Sequence, residues 1–205
     1  MRSRQKIIFL GDSYTIGEGI EFTENFPSKF ISKLNESTQS SFEGTVIAKT
    51  GWTSGELIGA LSDKAFENEF IISTLLIGVN NQYRELDIST YQKEFELVLS
   101  KAISFVVDPT AVVVISIPDW GITPFASGRD QQKIAKEIDE YNSINRKIAT
   151  KFKTYYLDIT TGNRERGRNP AFLASDGLHP SSLEYDIWSS QLLSIVIENN
   201  LHSRF

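Results

Sequence analysis

The chain has 205 residues, 40% of them hydrophobic and 23% charged, and this composition excludes disordered and fibrous proteins. The net charge of −5 provides no general attraction for nucleic acid or for anionic membranes, and the lack of cysteine excludes disulfides and thiolate metal sites. A length of this order suits one domain, so we expect residues 1–205 to form a single domain.

The first predicted element is a strand over Lys6–Leu10. Its apolar stretch, Ile7–Leu10, is shorter than the roughly 7–15 apolar residues of a signal peptide. Nowhere does the sequence contain the roughly 18 consecutive apolar residues that cross a membrane. We therefore expect a cytoplasmic protein with no stable membrane association.

Four further apolar runs of strand length alternate with amphipathic segments. The predicted strands are Thr45–Ala48, Ile71–Ile77, Ala111–Ile117 and Thr154–Leu157. The runs at 71–77 and 111–117 are apolar almost throughout, which is typical of strands covered on both faces of a parallel sheet. Apolar residues at helical spacing predict helices within residues 54–66, 90–107, 130–150 and 182–199. The alternation predicts an α/β fold with three layers, α/β/α, around a parallel sheet.

Sequence signals also predict where two of these helices begin and end. Thr53 with Glu56 and Ser89 with Gln92 have the spacing of capping boxes, which open helices. The pair at 108–109, Asp-Pro, is expected to stop the second of these helices, because a proline disfavours the helical conformation in the residue before it.

The loops that follow the strands carry the candidate functional residues, because ligands bind at the carboxyl ends of the strands in such sheets. Ser13 follows the first strand, and Asp176 and His179 follow the fifth. A lone histidine is more often structural than catalytic, but a nearby carboxylate can hold its tautomer and stabilise the imidazolium. We expect Ser13 and His179 to meet at one edge of the sheet as nucleophile and base.

Two loops between these residues can supply hydrogen-bond donors for a developing oxyanion, which acyl transfer requires. Gly51 lies in the loop after the second strand, where a small residue lets backbone N–H groups approach a substrate. Asn80 follows the third strand and can supply its side-chain amide. Taken singly, Gly51 is also typical of an ordinary turn and Asn80 of an Asx turn or cap.

Four blocks in this order resemble the SGNH hydrolases, also called GDSL-type esterases and lipases. The blocks are Gly11-Asp12-Ser13-Tyr14-Thr15, Gly51, Gly78-Val79-Asn80 and Asp176-Gly177-Leu178-His179. They extend over residues 11–179, nearly the whole chain. One departure is Tyr14, where many members carry Leu or Ile, and it leaves the chemistry untouched.

The resemblance implies a flavodoxin-like sheet of five parallel strands and hydrolysis of an ester or thioester through an acyl-serine intermediate. Ser13 would attack the carbonyl carbon, His179 would take and later deliver the proton, and Asp176 would orient His179. The Ser13 N–H, the Gly51 N–H and the Asn80 amide would form the oxyanion hole. The resemblance implies no metal and no organic cofactor.

Other nucleophile and nucleotide-binding motifs do not match. The G-x-S-x-G elbow of α/β-hydrolases fails because Thr15 stands where its second glycine should be. The sequence contains no Gly-Lys-Ser/Thr phosphate loop, and Gly17-Glu18-Gly19 lacks the third glycine of a dinucleotide fingerprint. The remaining rival is a non-catalytic carbohydrate- or ligand-binding protein on the same fold, because a fold does not determine chemistry.

Candidate substrate contacts lie in the same set of loops. Trp120 and Phe125 follow the fourth strand and are expected to form an apolar acyl wall or to stack on a sugar, although packing within the loop is an equal alternative. Asp12 is also expected to contact substrate. So is one of Gln82, Tyr83 and Arg84, which follow Asn80 closely; we favour Arg84, the alternative for it being a solvated side chain. The basic run at 164–168 could meet an anionic group of a coenzyme or phospholipid, or form a charged loop.

The hypothesis is an esterase for short acyl groups, with sugar O-acetyl groups among its small-molecule substrates. Lysophospholipase or acyl-thioesterase activity is the alternative.

Overall fold

The computed structural model describes residues 4–38, 40–66 and 68–203. Within these residues, five parallel strands form one sheet in the order β2-β1-β3-β4-β5. The strands are β1 Gln5–Gly11, β2 Phe42–Ala48, β3 Ile72–Leu76, β4 Val112–Ile115 and β5 Tyr155–Leu157. This is the flavodoxin-like strand order, so the predicted fold class is confirmed.

Helices connect the strands and cover the sheet. They are α1 Ser13–Ile16, α2 Phe26–Thr38, α3 Ser54–Leu61, α4 Val79–Tyr83, α5 Ile88–Ser104, α6 Gln131–Lys151, α7 Thr160–Arg166 and α8 Ser182–Glu198. Helix α2 packs against α8, while α5 packs against α3 and α6. Right-handed crossovers place these two groups on opposite faces of the sheet, which gives three layers.

The predicted helix boundaries are correct at some ends and wrong at others. The Thr53–Glu56 capping box is confirmed, but helix α3 ends at Leu61 instead of extending to residue 66. Helix α5 is not opened by Ser89 and Gln92, because Asp87 accepts a hydrogen bond from the Thr90 N–H and caps the helix. The same helix ends at Ser104, well before the Asp-Pro pair, because the chain at 106–107 pairs instead with Phe70.

The core of the sheet explains why the functional loops gather at one edge. All residues of β3 and β4 are buried, as expected for strands covered on both faces. Because every strand runs in the same direction, the segments after β1, β2, β3, β4 and β5 all leave from its carboxyl edge. No helix in the described ranges is long and apolar enough to cross a membrane.

Candidate active site

The segment after β1 presents a serine at the start of a short helix. Asp12 caps α1 by accepting a hydrogen bond from the Tyr14 N–H at 3.0 Å, and Ser13 is the first helical residue. Gly11 must be small, because a Cβ there would lie 2.1 Å from Thr15 Oγ1 and 2.5 Å from the Leu76 carbonyl oxygen. This tight strand-to-helix turn fixes the Ser13 side chain, which is 4% exposed, at the carboxyl edge of the sheet.

His179 links Ser13 to Asp176 through both of its ring nitrogens. Its Nε2 lies 2.9 Å from Ser13 Oγ, and its Nδ1 lies 2.6 Å from Asp176 Oδ2. The other carboxylate oxygen of Asp176 accepts hydrogen bonds from the N–H groups of Leu178 and His179, which holds the carboxylate in place. The Tyr14 ring packs 4.9 Å from the imidazole and covers it.

The electrostatics of this chain of contacts suit a base. Partial burial opposes ionisation of Asp176, but hydrogen bonds from the His179 ring and from two backbone N–H groups outweigh it and lower the pKa of Asp176. An ionised Asp176 accepts the Nδ1–H of His179 and so selects the tautomer whose Nε2 carries a lone pair. That lone pair can accept the proton of the Ser13 hydroxyl.

Gly51 occupies the third position of a tight turn after β2. The Trp52 N–H donates to the Lys49 carbonyl oxygen at 3.2 Å, and Gly51 has a φ of +82°, in the left-handed region that favours glycine. Gly51, Ser13 and His179 line one cavity of about 180 Å³. The turn therefore brings the Gly51 backbone to the same space as the serine hydroxyl.

Asn80 reaches this cavity from α4, which begins directly after the β3 strand and Gly78. Its Nδ2 donates to the Trp52 carbonyl oxygen at 3.0 Å. An amide nitrogen carries two hydrogens, so the second can serve a ligand or the Asp12 carboxylate, whose Oδ2 lies 3.5 Å away. The structure thus brings together all the residues expected for a triad and an oxyanion hole.

Three aromatic rings and Leu178 form the apolar side of the cavity. The rings of Tyr83, Trp120 and Phe125 contact one another, with centroids 5.2–6.3 Å apart. Trp120 is buried and its indole N–H donates to Gln82 Oε1 at 2.6 Å, whereas Tyr83 and Phe125 are about half exposed. Trp120 and Phe125 therefore line the cavity beside Ser13, the position expected for them from the sequence. Of the three residues expected to contribute one substrate contact after Asn80, Tyr83 lines the cavity and the favoured Arg84 does not. Tyr83 lies three residues after Asn80, on the same helix face.

Asp12 and Arg84 lie outside the set of residues that line this cavity. Asp12 is fully buried, and burial raises its pKa to about 7 although the Tyr14 N–H acts in the opposite direction. The Arg84 side chain contacts the Gly51 turn, where it donates to the Gly51 carbonyl oxygen at 2.5 Å.

The basic run at 164–168 is not simply a charged loop, because its first three residues belong to helix α7. Arg164 pairs with the buried Asp119 and with Asp139, both at 2.8 Å. Arg166 donates two hydrogen bonds to Glu184. These arginines are thus engaged in internal ion pairs that hold α7 against neighbouring elements.

In the described part of the chain, no cluster of three or more His, Asp or Glu side chains could hold a metal ion.

Comparisons with known proteins agree with this geometry. The model of the GDSL-like lipase/acylhydrolase family matches residues 9–187. Similar solved structures include a lipase/acylhydrolase from Enterococcus faecalis, with 17% identity, a TM-score of 0.75, and coverage of 95% of this chain and 96% of that one. An acetylxylan esterase from Geobacillus stearothermophilus has 17% identity and a TM-score of 0.72, with 92% of each chain covered. A psychrotrophic esterase from Pseudoalteromonas sp. has 16% identity and a TM-score of 0.71, covering 97% of this chain and all (100%) of that one. No curated protein matches the sequence significantly.

Proposed function

This chain belongs to the GDSL-like lipase/acylhydrolase family, whose members are carboxylic ester hydrolases, and we propose that it cleaves short acyl esters through an acyl-serine intermediate on Ser13. The observation that carries the proposal is the pair of contacts at His179, 2.9 Å to Ser13 Oγ and 2.6 Å to Asp176 Oδ2. A nucleophile, a base and an orienting carboxylate within hydrogen-bond reach are what acyl transfer to serine requires.

In the first step, His179 Nε2 takes the hydroxyl proton while Ser13 Oγ attacks the ester carbonyl carbon. The carbonyl oxygen becomes an oxyanion, which accepts hydrogen bonds from the Ser13 N–H, the Gly51 N–H and the Asn80 amide. The tetrahedral intermediate collapses, and His179 delivers its proton to the departing alkoxide. Water then attacks the acyl-serine by the same route in reverse, which releases the acid and restores the Ser13 hydroxyl.

Short acyl groups are proposed because the cavity beside Ser13 is small and ends on packed aromatic rings. Its volume is about 180 Å³, and Trp120 is held by its hydrogen bond to Gln82. The half-exposed rings of Tyr83 and Phe125 could stack on a sugar that carries an O-acetyl group. The resemblance in fold to an acetylxylan esterase supports this substrate class.

The proposal is tested with p-nitrophenyl acetate, purified protein and the Ser13→Ala variant. Loss of the nucleophile should lower kcat by roughly four to six orders of magnitude, as in comparable triads. Ser73→Ala is the matched control, because Ser73 is buried in β3 and its hydroxyl has no partner among the described residues. Equal rates for wild type and Ser13→Ala would favour the non-catalytic binding protein instead.

Acyl length is tested with a p-nitrophenyl series from acetate to laurate. The highest kcat/KM is expected for acetate or the next longer ester, because a longer chain exceeds the cavity beside Ser13. A maximum at long chains would overturn the short-acyl proposal and favour lysophospholipase or acyl-thioesterase activity at the same site.

A further inference from the structure

Arg84 contacts the Gly51 turn without lining the cavity. One end of its guanidinium, Nη2, donates to the Gly51 carbonyl oxygen at 2.5 Å, and the other end, Nη1, donates to Glu56 Oε2 at 3.3 Å. The same Glu56 oxygen accepts hydrogen bonds from the N–H and the hydroxyl of Thr53. Arg84 thus ties the turn to the amino end of helix α3.

We propose that Arg84 is a positioning residue for the oxyanion hole: it fixes the Gly51 turn so that the Gly51 N–H faces the substrate carbonyl oxygen. This inference rests on the proposed function. It gives Arg84 a different role from the substrate contact expected from the sequence. Arg84 acts here through the backbone of Gly51 and does not touch the reacting atoms.

The turn needs such support because its third residue is a glycine. Glycine adopts positive and negative φ with similar ease, and rotation of the Thr50–Gly51 peptide would point the Gly51 N–H away from the cavity. Three side chains hold the turn on both sides of that peptide. The Thr50 hydroxyl donates to Glu18, and the carbonyl oxygens of Gly51 and Trp52 accept from Arg84 and Asn80, respectively.

Position, more than charge, is the contribution we assign to Arg84. Its side chain is 45% exposed, so water and salt screen its charge, and its partner Glu56 compensates the charge locally. A bidentate guanidinium, by contrast, constrains both groups that it bridges. A small displacement of one oxyanion donor is sufficient to slow the chemical step.

The test compares Arg84→Met and Arg84→Lys with wild type on p-nitrophenyl acetate. Arg84→Met should lower kcat about tenfold, less than deletion of a donor, and change KM by less than about twofold. Arg84→Lys should recover part of the loss, because an ammonium group can still donate to the Gly51 carbonyl oxygen but cannot bridge as a fork. An increase in KM at constant kcat would overturn the proposal and indicate a substrate contact. Unchanged kinetics would also overturn it.

Two more variants separate positioning from general effects. Arg146 is another exposed arginine; it lies on helix α6 and pairs with Asp158 at 3.5 Å. Arg146→Met should leave kcat unchanged. Glu56→Gln keeps a capping-box residue but weakens the ion pair, so kcat should fall about two- to threefold. If Arg84→Met does not fold, Arg84→Lys and Glu56→Gln decide, and normal kcat in both overturns the proposal.

The outcome for Arg84 is distinct from the outcome for the proposed function. Ser13→Ala in the same assay reports whether Ser13 carries the reaction at all. An inactive Ser13→Ala with a fully active Arg84→Met would retain the serine mechanism and reject the positioning role. An active Ser13→Ala would reject the mechanism, whatever Arg84 does.

Discussion

The two halves of the proposed active site are held in different ways. In the proton-transfer half, which consists of Ser13, His179 and Asp176, each side chain contacts the next directly at 2.9 and 2.6 Å. In the oxyanion half, which consists of the Gly51 turn and Asn80, backbone groups are held by side chains such as Arg84. In the proton-transfer half every residue is needed for the proton to move, whereas in the oxyanion half several donors and their neighbours share the stabilisation of the oxyanion. Loss of one residue should therefore abolish nearly all activity in the first half and only part of it in the second.

The largest effect is expected in the proton-transfer half. His179→Ala removes both contacts at once, so kcat on p-nitrophenyl acetate should fall by roughly 10⁴–10⁶. Because the members act as a unit, Ser13→Ala with His179→Ala should be hardly slower than either variant alone. Multiplicative losses in the double variant would mean that the two residues act independently, and the contrast between the halves would disappear.

The oxyanion half should lose activity in a smaller step. Asn80→Ala deletes one donor and one support of the Trp52 carbonyl oxygen, and kcat should fall by roughly 10²–10³. Asn81→Ala is a useful neighbour for comparison, since the Asn81 side chain bonds Ser54 and does not line the cavity. A loss below about threefold at Asn80 would remove this residue from the oxyanion hole.

Asp12 lies between the halves, because it caps the helix of Ser13 and its Oδ2 is 3.5 Å from Asn80 Nδ2. Burial raises the pKa of Asp12 from 3.8 to about 7, so the folded state keeps a proton that the unfolded state has already released in this range. Stability should therefore decrease as pH rises from about 4 to about 7 and be insensitive to this group above that pH.

Urea unfolding of wild type and Asp12→Asn at pH 5 and pH 8 measures this contribution. Between pH 5 and pH 8, the free energy of unfolding of the wild type should decrease by about 2–3 kcal/mol more than that of the variant, because the asparagine amide does not titrate. An asparagine side-chain oxygen can still accept the Tyr14 N–H, which preserves the cap. The same pH dependence in both proteins would show that Asp12 is ionised in the folded state throughout.

Local motifs made one half easier to predict from the sequence than the other. The serine at the end of β1 and the Asp-His pair each depend on a few neighbouring residues, and the parallel sheet brings the two segments together. The direction of Arg84, in contrast, depends on how helix α4 packs beside the Gly51 turn. The spacing along α4 favours Tyr83 over Arg84, because Tyr83 lies three residues after Asn80, but no local signal shows that the Arg84 side chain contacts the Gly51 carbonyl oxygen.

The boundaries of helix α5 show the same limit. Two capping signals compete at its start, and the earlier one, Asp87, prevails because its carboxylate bonds both Thr90 and the Ser89 hydroxyl. Its end depends on Val106, which pairs with Phe70 across the fold. Local helix propensity does not indicate a pairing with a residue so distant in sequence. The Asp-Pro pair is therefore the only end signal that the local sequence contains, although the helix ends before it.

A smaller effect than in either half is expected at the rim of the cavity, where Phe125 is 44% exposed. Phe125→Ala removes part of the apolar wall, so kcat/KM for p-nitrophenyl butyrate should fall about three- to fivefold, equivalent to about 1 kcal/mol of partial burial. The acetyl ester is too short to use this wall and should change by less than about twofold. Phe22→Ala, at an exposed phenylalanine that does not line the cavity, should affect neither ester. An equal loss for both esters would assign Phe125 to packing of its own loop, because a contact with the acyl chain must grow with chain length.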